Sequence, residues 1–240
     1  MSTFLFLLRS SLRFSWVTCG AFVVLTAFPA CATSITGNVS GLADLWLAGR
    51  PSGATLGGDS APTNSPLQVT GLAFIAGNSL TFSNASGTVG GFGGSAGPDG
   101  SFPFNPGPAN SISGLSAAPA GALIGVFLDS NVPNGAAPAS MAVVTTSASY
   151  SPLLNQAFFI GDGLTGTGSG STQTFVIPAG ATRLFLGIGD TPGGFFNNTG
   201  SFTVTVDDGI TASGVPEPGT MATLGLGLLG LWRARRKFIG

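Results

Sequence analysis

The stretch "RLFLGIGDTPGGFFNNTGSFTVTVDD", Arg183 to Asp208, decides how this chain reads. It opens with "RLFLGIGD", an apolar run of strand length. It closes with "GSFTVTVDD", in which Phe202, Val204 and Val206 alternate with Thr203 and Thr205. Alternation with period two is what a strand with one buried face requires. Between the two lies "GDTPGGFFNNTGSF", Gly189 to Phe202, which is longer than the about two to five residues of a plain hairpin connection. This loop carries Asp190, Asn197 and Asn198, whose side-chain oxygens could converge. It also carries Gly193, Gly194 and Gly200, which admit unusual backbone angles and so free carbonyl groups. Such an oxygen-rich set suits a hard cation such as calcium. On composition alone, an ordinary polar turn is the simpler reading.

Working outward, further short apolar or alternating runs are separated by turn residues. They are "LADLWLAG" (Leu42–Gly49), "LQVTGLAFI" (Leu67–Ile75), "SLTFSNASGTVGG" (Ser79–Gly91), "GALIGVFLD" (Gly121–Asp129), "MAVVTTS" (Met141–Ser147), "QAFFIG" (Gln156–Gly161) and "TQTFVIPAG" (Thr172–Gly180). β-Branched and aromatic residues with regular breakers predict an all-β sandwich. No fixed-period repeat is visible, and helical periodicity is confined to the chain ends. The glycine-rich "GGFGGSAGPDG" (Gly90–Gly100) lacks the G-K-[ST] of a phosphate loop and no helix follows it, so it reads as a surface loop between strands.

The two ends read as addresses. Arg9 and Arg13 precede an apolar run, Phe14 to Ala30, that ends in Ala30-Cys31-Ala32. This is the pattern of a secretory signal peptide over residues 1–32. An uncleaved anchor and a lipoprotein signal at Cys31 are the alternatives; the small-residue site argues against the first, and the missing leucine in Phe28-Pro29-Ala30 against the second. At the other end, Pro216-Glu217-Pro218 leads into 14 uncharged residues, Gly219 to Trp232, four of them glycine. As a helix these reach roughly 21 Å, short for a bilayer core of about 30 Å. The basic residues Arg233, Arg235, Arg236 and Lys237 follow and favour the cytoplasmic side. Residues 33–213 remain as a single domain between residues 1–32 and 214–240.

That domain is poor in charge. Arg50 and Arg183 are its only bases, against Asp44, Asp59, Asp99, Asp129, Asp162, Asp190, Asp207 and Asp208. No basic patch offers itself to nucleic acid. Both cysteines, Cys19 and Cys31, fall in the signal segment, so no disulfide is expected in the domain. The chain contains no histidine and its only lysine is Lys237. This excludes Ser-His-Asp and Cys-His catalysis and histidine zinc sites. A carboxylate pair could serve a glycosidase, but no acid stands in a sequence setting that suggests a raised pKa. The domain is therefore expected not to be an enzyme.

Two resemblances add to this reading. Pro216-Glu217-Pro218, the Gly/Leu-rich run and the Arg-rich end together resemble the PEP-CTERM sorting signal of Gram-negative surface proteins. That resemblance implies an exosortase as processing partner. It also implies transient inner-membrane association through the C-terminal segment, and a secreted or cell-surface destination. Within the domain, "GNSLTFSNASG", "GPDG" (Gly97–Gly100), "GALIG" (Gly121–Gly125) and above all "LFLGIGDTPGGFFNNTGSFTVTV" resemble the PA-I type galactose-binding lectins. Those are calcium-dependent β-sandwiches. This second resemblance implies a lectin-like, jelly-roll-like sandwich, with Asp190 as carboxylate ligand of Ca2+ and side-chain oxygens from Asn197 and Asn198. It further implies backbone carbonyls from Gly194 and Gly90. Sugar contact is implied at Asp190, Asn197 and the backbone of Thr191. The sequence departs from that family in having Gly189 before Asp190 and Phe104 where a sugar-contacting histidine stands.

The expectation is an exported, exosortase-processed surface or extracellular-matrix protein that binds an exopolysaccharide or surface glycan through calcium. The alternative is a structural matrix or biofilm protein of the same fold without sugar binding.

Overall fold

The computed structural model describes residues 33–209 and 224–229. The β domain and residues 224–229 belong to separate compact units and are taken separately. Residues 1–32, expected to be a signal peptide, lie outside the described residues, as do Pro216, Glu217, Pro218, Arg233, Arg235 and Arg236. Residues 224–229 form a short helix with an exposed, leucine-rich surface. Among the described residues, no helix is long and apolar enough to cross a membrane.

Ten strands build the two main sheets of the domain: β1 (Ser34–Ser40), β2 (Leu67–Val69), β3 (Ser79–Gly90), β4 (Ser95–Ala96), β5 (Leu123–Leu128), β6 (Ser149–Tyr150), β7 (Ala157–Phe159), β8 (Thr174–Val176), β9 (Arg183–Ile188) and β10 (Thr199–Asp207). The larger sheet runs β1-β10-β3-β8-β6, with β4 folded back onto β3. The smaller runs β7-β5-β9-β2. The remaining pairings are two-residue to four-residue ladders in the connections. The sheets stack in a sandwich-like way, as expected for an all-β domain. The strand orders do not establish a jelly roll.

The two sheets bury themselves differently, and the sequence pattern says why. In β10, Phe202, Val204 and Val206 point into the core, while the threonines between them lie toward solvent. Its partner β3 does the same with Leu80 and Phe82. In the smaller sheet, β5 is buried at every position and β9 at all but Arg183. One face, with Leu123, Phe127, Leu184, Leu186 and Phe158, meets the larger sheet. Phe158 of β7 stands 5.5 Å from Phe175 of β8, and Phe175 in turn stands 4.9 Å from Phe82. Each of these fully buried rings contributes roughly 1.5–3 kcal/mol by leaving water.

The other face of the smaller sheet is covered by the segment Ala43–Gly49. Gly187 of β9 makes room for it: a Cβ there would stand 2.8 Å from the Ala43 carbonyl oxygen and 3.1 Å from Leu45 Cβ. Three readings of the sequence are corrected by these elements. "LADLWLAG" is not a strand but a 3-10 turn at Leu45–Leu47. Asp44 precedes it and accepts a hydrogen bond from the Trp46 N–H at 2.9 Å, an N-cap that competes with extended structure. The run Leu67–Ile75 pairs only over Leu67–Val69, and Met141–Ser147 only over Met141–Ala142.

Strand β1, whose seven residues pair with β10 from Ser34↔Asp207 to Ser40↔Ser201, is an edge strand that the apolar-run reading missed. Its only fully buried residue is Val39, so it shows little hydrophobic signal. The glycine-rich stretch from Gly90 is not simply a loop: Ala96 pairs with Val89, and Ser95 with Gly90.

Candidate functional site

The segment after β9 is not a hairpin connection, since β9 and β10 lie in different sheets. It crosses from one sheet to the other over Gly189–Asn198, with a 3-10 turn at Phe195–Asn197. Its anchor is Phe195, fully buried and 6.3 Å from the Trp46 ring. The next residue, Phe196, turns outward and its ring covers the backbone at Gly58.

Asp190 and Asn198 meet at the two ends of this crossover. Asn198 donates from Nδ2 to Asp190 Oδ2 at 3.0 Å, and the Thr191 N–H donates to Asp190 Oδ1 at 2.7 Å. The Asn198 Oδ1 atom is buried and has no hydrogen-bond partner. An unpartnered buried oxygen costs about 1–3 kcal/mol and asks for an explanation. Beside it lies Gly91, with φ +122°, an angle favourable only to glycine. A Cβ on Gly91 would also meet Asn198 Cα at 2.6 Å and the Asn197 carbonyl oxygen at 2.8 Å. Gly90, one residue earlier, pairs with Thr199.

The structure thus brings together Asp190, Asn198 and the Gly90–Gly91 backbone. Gly194 caps the 3-10 turn and donates to the Thr191 carbonyl at 2.9 Å. Asn197 is exposed and its side chain makes no hydrogen bond among the described residues, so it is not gathered with the other two. Thr191 is exposed as a side chain, while its N–H and carbonyl are both engaged within the loop. Phe104 lies in a two-residue ladder with Ala118, away from the Asp190–Asn198 contact.

Two further acids lie under the crossover, and sequence reasoning did not single them out. Asp44 Oδ2 accepts the Gly193 N–H at 3.0 Å, and Asp59 Oδ2 accepts the Phe195 N–H at 2.9 Å. Both are inaccessible, at 0% and 1% exposure, so their task is to hold the loop rather than to meet a substrate. Burial pushes the Asp44 carboxyl up to about 7, and the neighbouring Asp59 carboxyl adds to the rise. Burial also raises Asp190, with Asp59 again contributing. This corrects the sequence expectation that no acid has a raised pKa. The one available signal was Asp44 itself, an aspartate heading an apolar "LWL".

The two bases of the domain do not neutralise this group. Arg50 donates to the carbonyls of Asn110 and Pro133, and Arg183 to those of Asp129 and Asn131. Neither acts on Asp44 or Asp190. Asp59 Oδ1 is also buried without a hydrogen-bond partner. Among the described residues, no three acidic, histidine or cysteine side chains gather closely enough to hold a metal alone. Any cation at the crossover would therefore need amide and backbone oxygens beside the Asp190 carboxylate.

No curated protein matches the chain. Residues 214–237 match the family model described as the PEP-CTERM protein-sorting motif. The chain thus carries the PEP-CTERM sorting motif, which implies an exosortase as partner and export or display at the cell surface as destination.

Proposed function

We propose that the β domain is a non-catalytic, calcium-dependent carbohydrate-binding module, carried outward by its sorting motif to bind an exopolysaccharide or surface glycan. The observation that carries this reading is the Asp190–Asn198 contact. There a buried carboxylate with only neutral donors lies against an amide whose own oxygen has no partner. A cation at that contact gives the carboxylate a counter-charge and the amide oxygen a ligand bond. Calcium accepts about six to eight oxygens and tolerates irregular shells. Asp190, Asn198, the Asn197 side chain once turned inward, and the carbonyls of Gly194 and Gly90 supply five or six. Vicinal sugar hydroxyls are suited to the positions left open, with the Thr191 backbone beside them.

A low-charge domain fits this role, because such recognition depends on hydroxyl geometry at the ion rather than on bulk charge. Calcium's part is to attract those hydroxyl oxygens. The chain's part is to hold Asp190 and Asn198 at the two ends of one crossover, braced from below by Asp44 and Asp59.

Titration calorimetry of calcium into residues 33–213, beside Asp190→Ala, tests the reading. Saturable binding that disappears in the variant, followed by calcium-dependent binding on a glycan array, is the expected result. A domain that takes up no calcium instead supports the structural matrix role for the same fold.

A further inference from the structure

Near the crossover, Phe92 packs against the edge of the core and Phe102 stands exposed against it. Phe102 is 44% exposed, on a surface otherwise dominated by glycine, serine and threonine. Its ring centroid lies 6.4 Å from that of Phe92, at 52° to it. Phe92 is half-buried and pinned. Its ring lies over Gly121, where a Cβ would come within 2.7 Å of Phe92 Cε1. The Gly121 N–H donates to the Gly189 carbonyl at 2.8 Å, and Gly189 directly precedes Asp190.

On its other side, Phe92 follows Gly91, the glycine pressed against Asn198. The Gly91 N–H bonds the Gly94 carbonyl at 3.3 Å, closing a tight turn, and Phe102 Cε1 lies near Gly94. Phe92 therefore borders the crossover at both of its ends, through Gly121–Gly189 and through Gly91–Asn198, and Phe102 extends that border outward through its contact with Phe92. Phe196, the other exposed phenylalanine at this place, has its ring occupied in covering Gly58. Phe102 has no such duty.

We propose that Phe102, braced by Phe92, is the aromatic wall against which the C–H face of a neutral pyranose packs while the sugar's hydroxyls meet the Asp190–Asn198 site. The inference rests on the calcium-and-sugar reading above and makes it more specific. Sugar rings carry one face richer in C–H groups, and an aromatic ring held at a fixed angle favours that face with little loss of side-chain freedom. Among the described residues, the only basic side chains, Arg50 and Arg183, bond carbonyls elsewhere, so a neutral sugar is favoured over a uronic acid or sulfated one. Phe102 would then set specificity, by selecting sugars whose apolar face lies on the correct side of the ion-facing hydroxyls.

The test uses the β domain, a separate compact unit with its own core, as wild type, Phe102→Ala and Phe102→Trp. Calcium affinity is measured by calorimetry. Sugar binding is measured with calcium present, on an array of neutral and acidic oligosaccharides and by titration with the best neutral hit. The expected outcome is unchanged calcium affinity in all three, at least about a tenfold loss of sugar affinity in Phe102→Ala, and retained binding in Phe102→Trp. The new indole should also change its emission on sugar addition, against the background of buried Trp46. Equal sugar binding by wild type and Phe102→Ala overturns the proposal. So does loss of calcium and sugar together in Phe102→Ala, which makes the pair structural, or a change in self-association alone, which makes it a contact between copies. A wild-type domain that binds no calcium brings down the underlying reading, and the aromatic wall with it.

Discussion

The turn from Asp162 to Gly168 and the crossover from Gly189 to Asn198 are both held by aspartates, but from different distances along the chain. In the first, Asp162 accepts the N–H groups of Leu164 at 2.8 Å and Gly168 at 2.7 Å, and Asp99 accepts the Asp162 N–H at 3.0 Å. No oxygen of either carboxylate is left buried without a partner. In the second, the holding aspartates are Asp44 and Asp59, some 149 and 136 residues from the N–H groups they accept. Buried oxygens of Asp59 and Asn198 remain unpartnered there. An aspartate cluster that satisfies itself is a turn device. One that leaves oxygens over, beside a buried carboxylate without a base, has capacity for something else. The difference separates two acid groups that composition alone makes look alike.

The sharpest way to break the comparison is to remove one carboxylate from each loop. Asp190→Ala should abolish saturable calcium binding, whereas Asp162→Ala should leave it intact in the same calorimetric titration. Equal behaviour of the two variants would erase the distinction.

Next in size is the crossover's anchor. Phe195→Ala empties a fully buried site against Trp46 and should cost about 3–5 kcal/mol in a denaturant or thermal melt. A loss below about 1 kcal/mol would mean that the crossover is not part of the cooperative core.

A pH series sharpens the same contrast. The Asp44 carboxyl sits at about 7 in the folded domain against 3.8 as its ordinary value, so the folded state holds a proton that the unfolded chain releases. Its stabilising contribution is full below about pH 4 and is lost as pH rises through about 7. Asp190 and Asp99 are shifted in the same direction. Without divalent cations, the melting temperature should therefore fall between pH 5 and pH 8. Asp44→Asn keeps one oxygen for an N–H and offers an N–H to Asp59, and should flatten most of that fall. A wild-type profile that rises over this interval would contradict the buried acid pair.

The smallest effect belongs to the self-satisfied turn. Asp162→Ala should cost about 1 kcal/mol, since its two lost acceptors lie at a half-open site. Its pH profile should keep most of the wild-type fall and lose only the part by which Asp162 raises Asp99. Loss of the larger part of the fall, which belongs to Asp44, would tie the Asp99–Asp162 group to the crossover after all.

How far the sequence carried these conclusions depended on whether the signal was local. The alternation of β10 and the unbroken apolar run of β5 are local consequences of one-faced and two-faced burial, and both are legible in a few residues. The sorting motif is legible for the same reason, being a contiguous string that a partner reads. The Asp190-to-Asn198 loop was legible as an oxygen-rich candidate. That Asn198 meets Asp190 while Asn197 faces solvent was not, because a 3-10 turn and the grip of Asp44 and Asp59 decide the facing.

The sequence by itself determined that the domain is all-β, low in charge, without histidine or disulfide, and carried by a chain bearing a sorting motif. Those properties follow from composition and from patterns a few residues long. Only the tertiary structure decided that Leu42–Gly49 lies across a sheet instead of joining it, and that the crossover links two sheets. It alone places two distant aspartates beneath that crossover and the Phe92 ring beside it. Each of these depends on long-range approach, where a missing Cβ at Gly187 or Gly91 and a carboxylate some 140 residues away act together. No local pattern encodes such distances, because the energy that favours them arises only when the two sheets close on a common core.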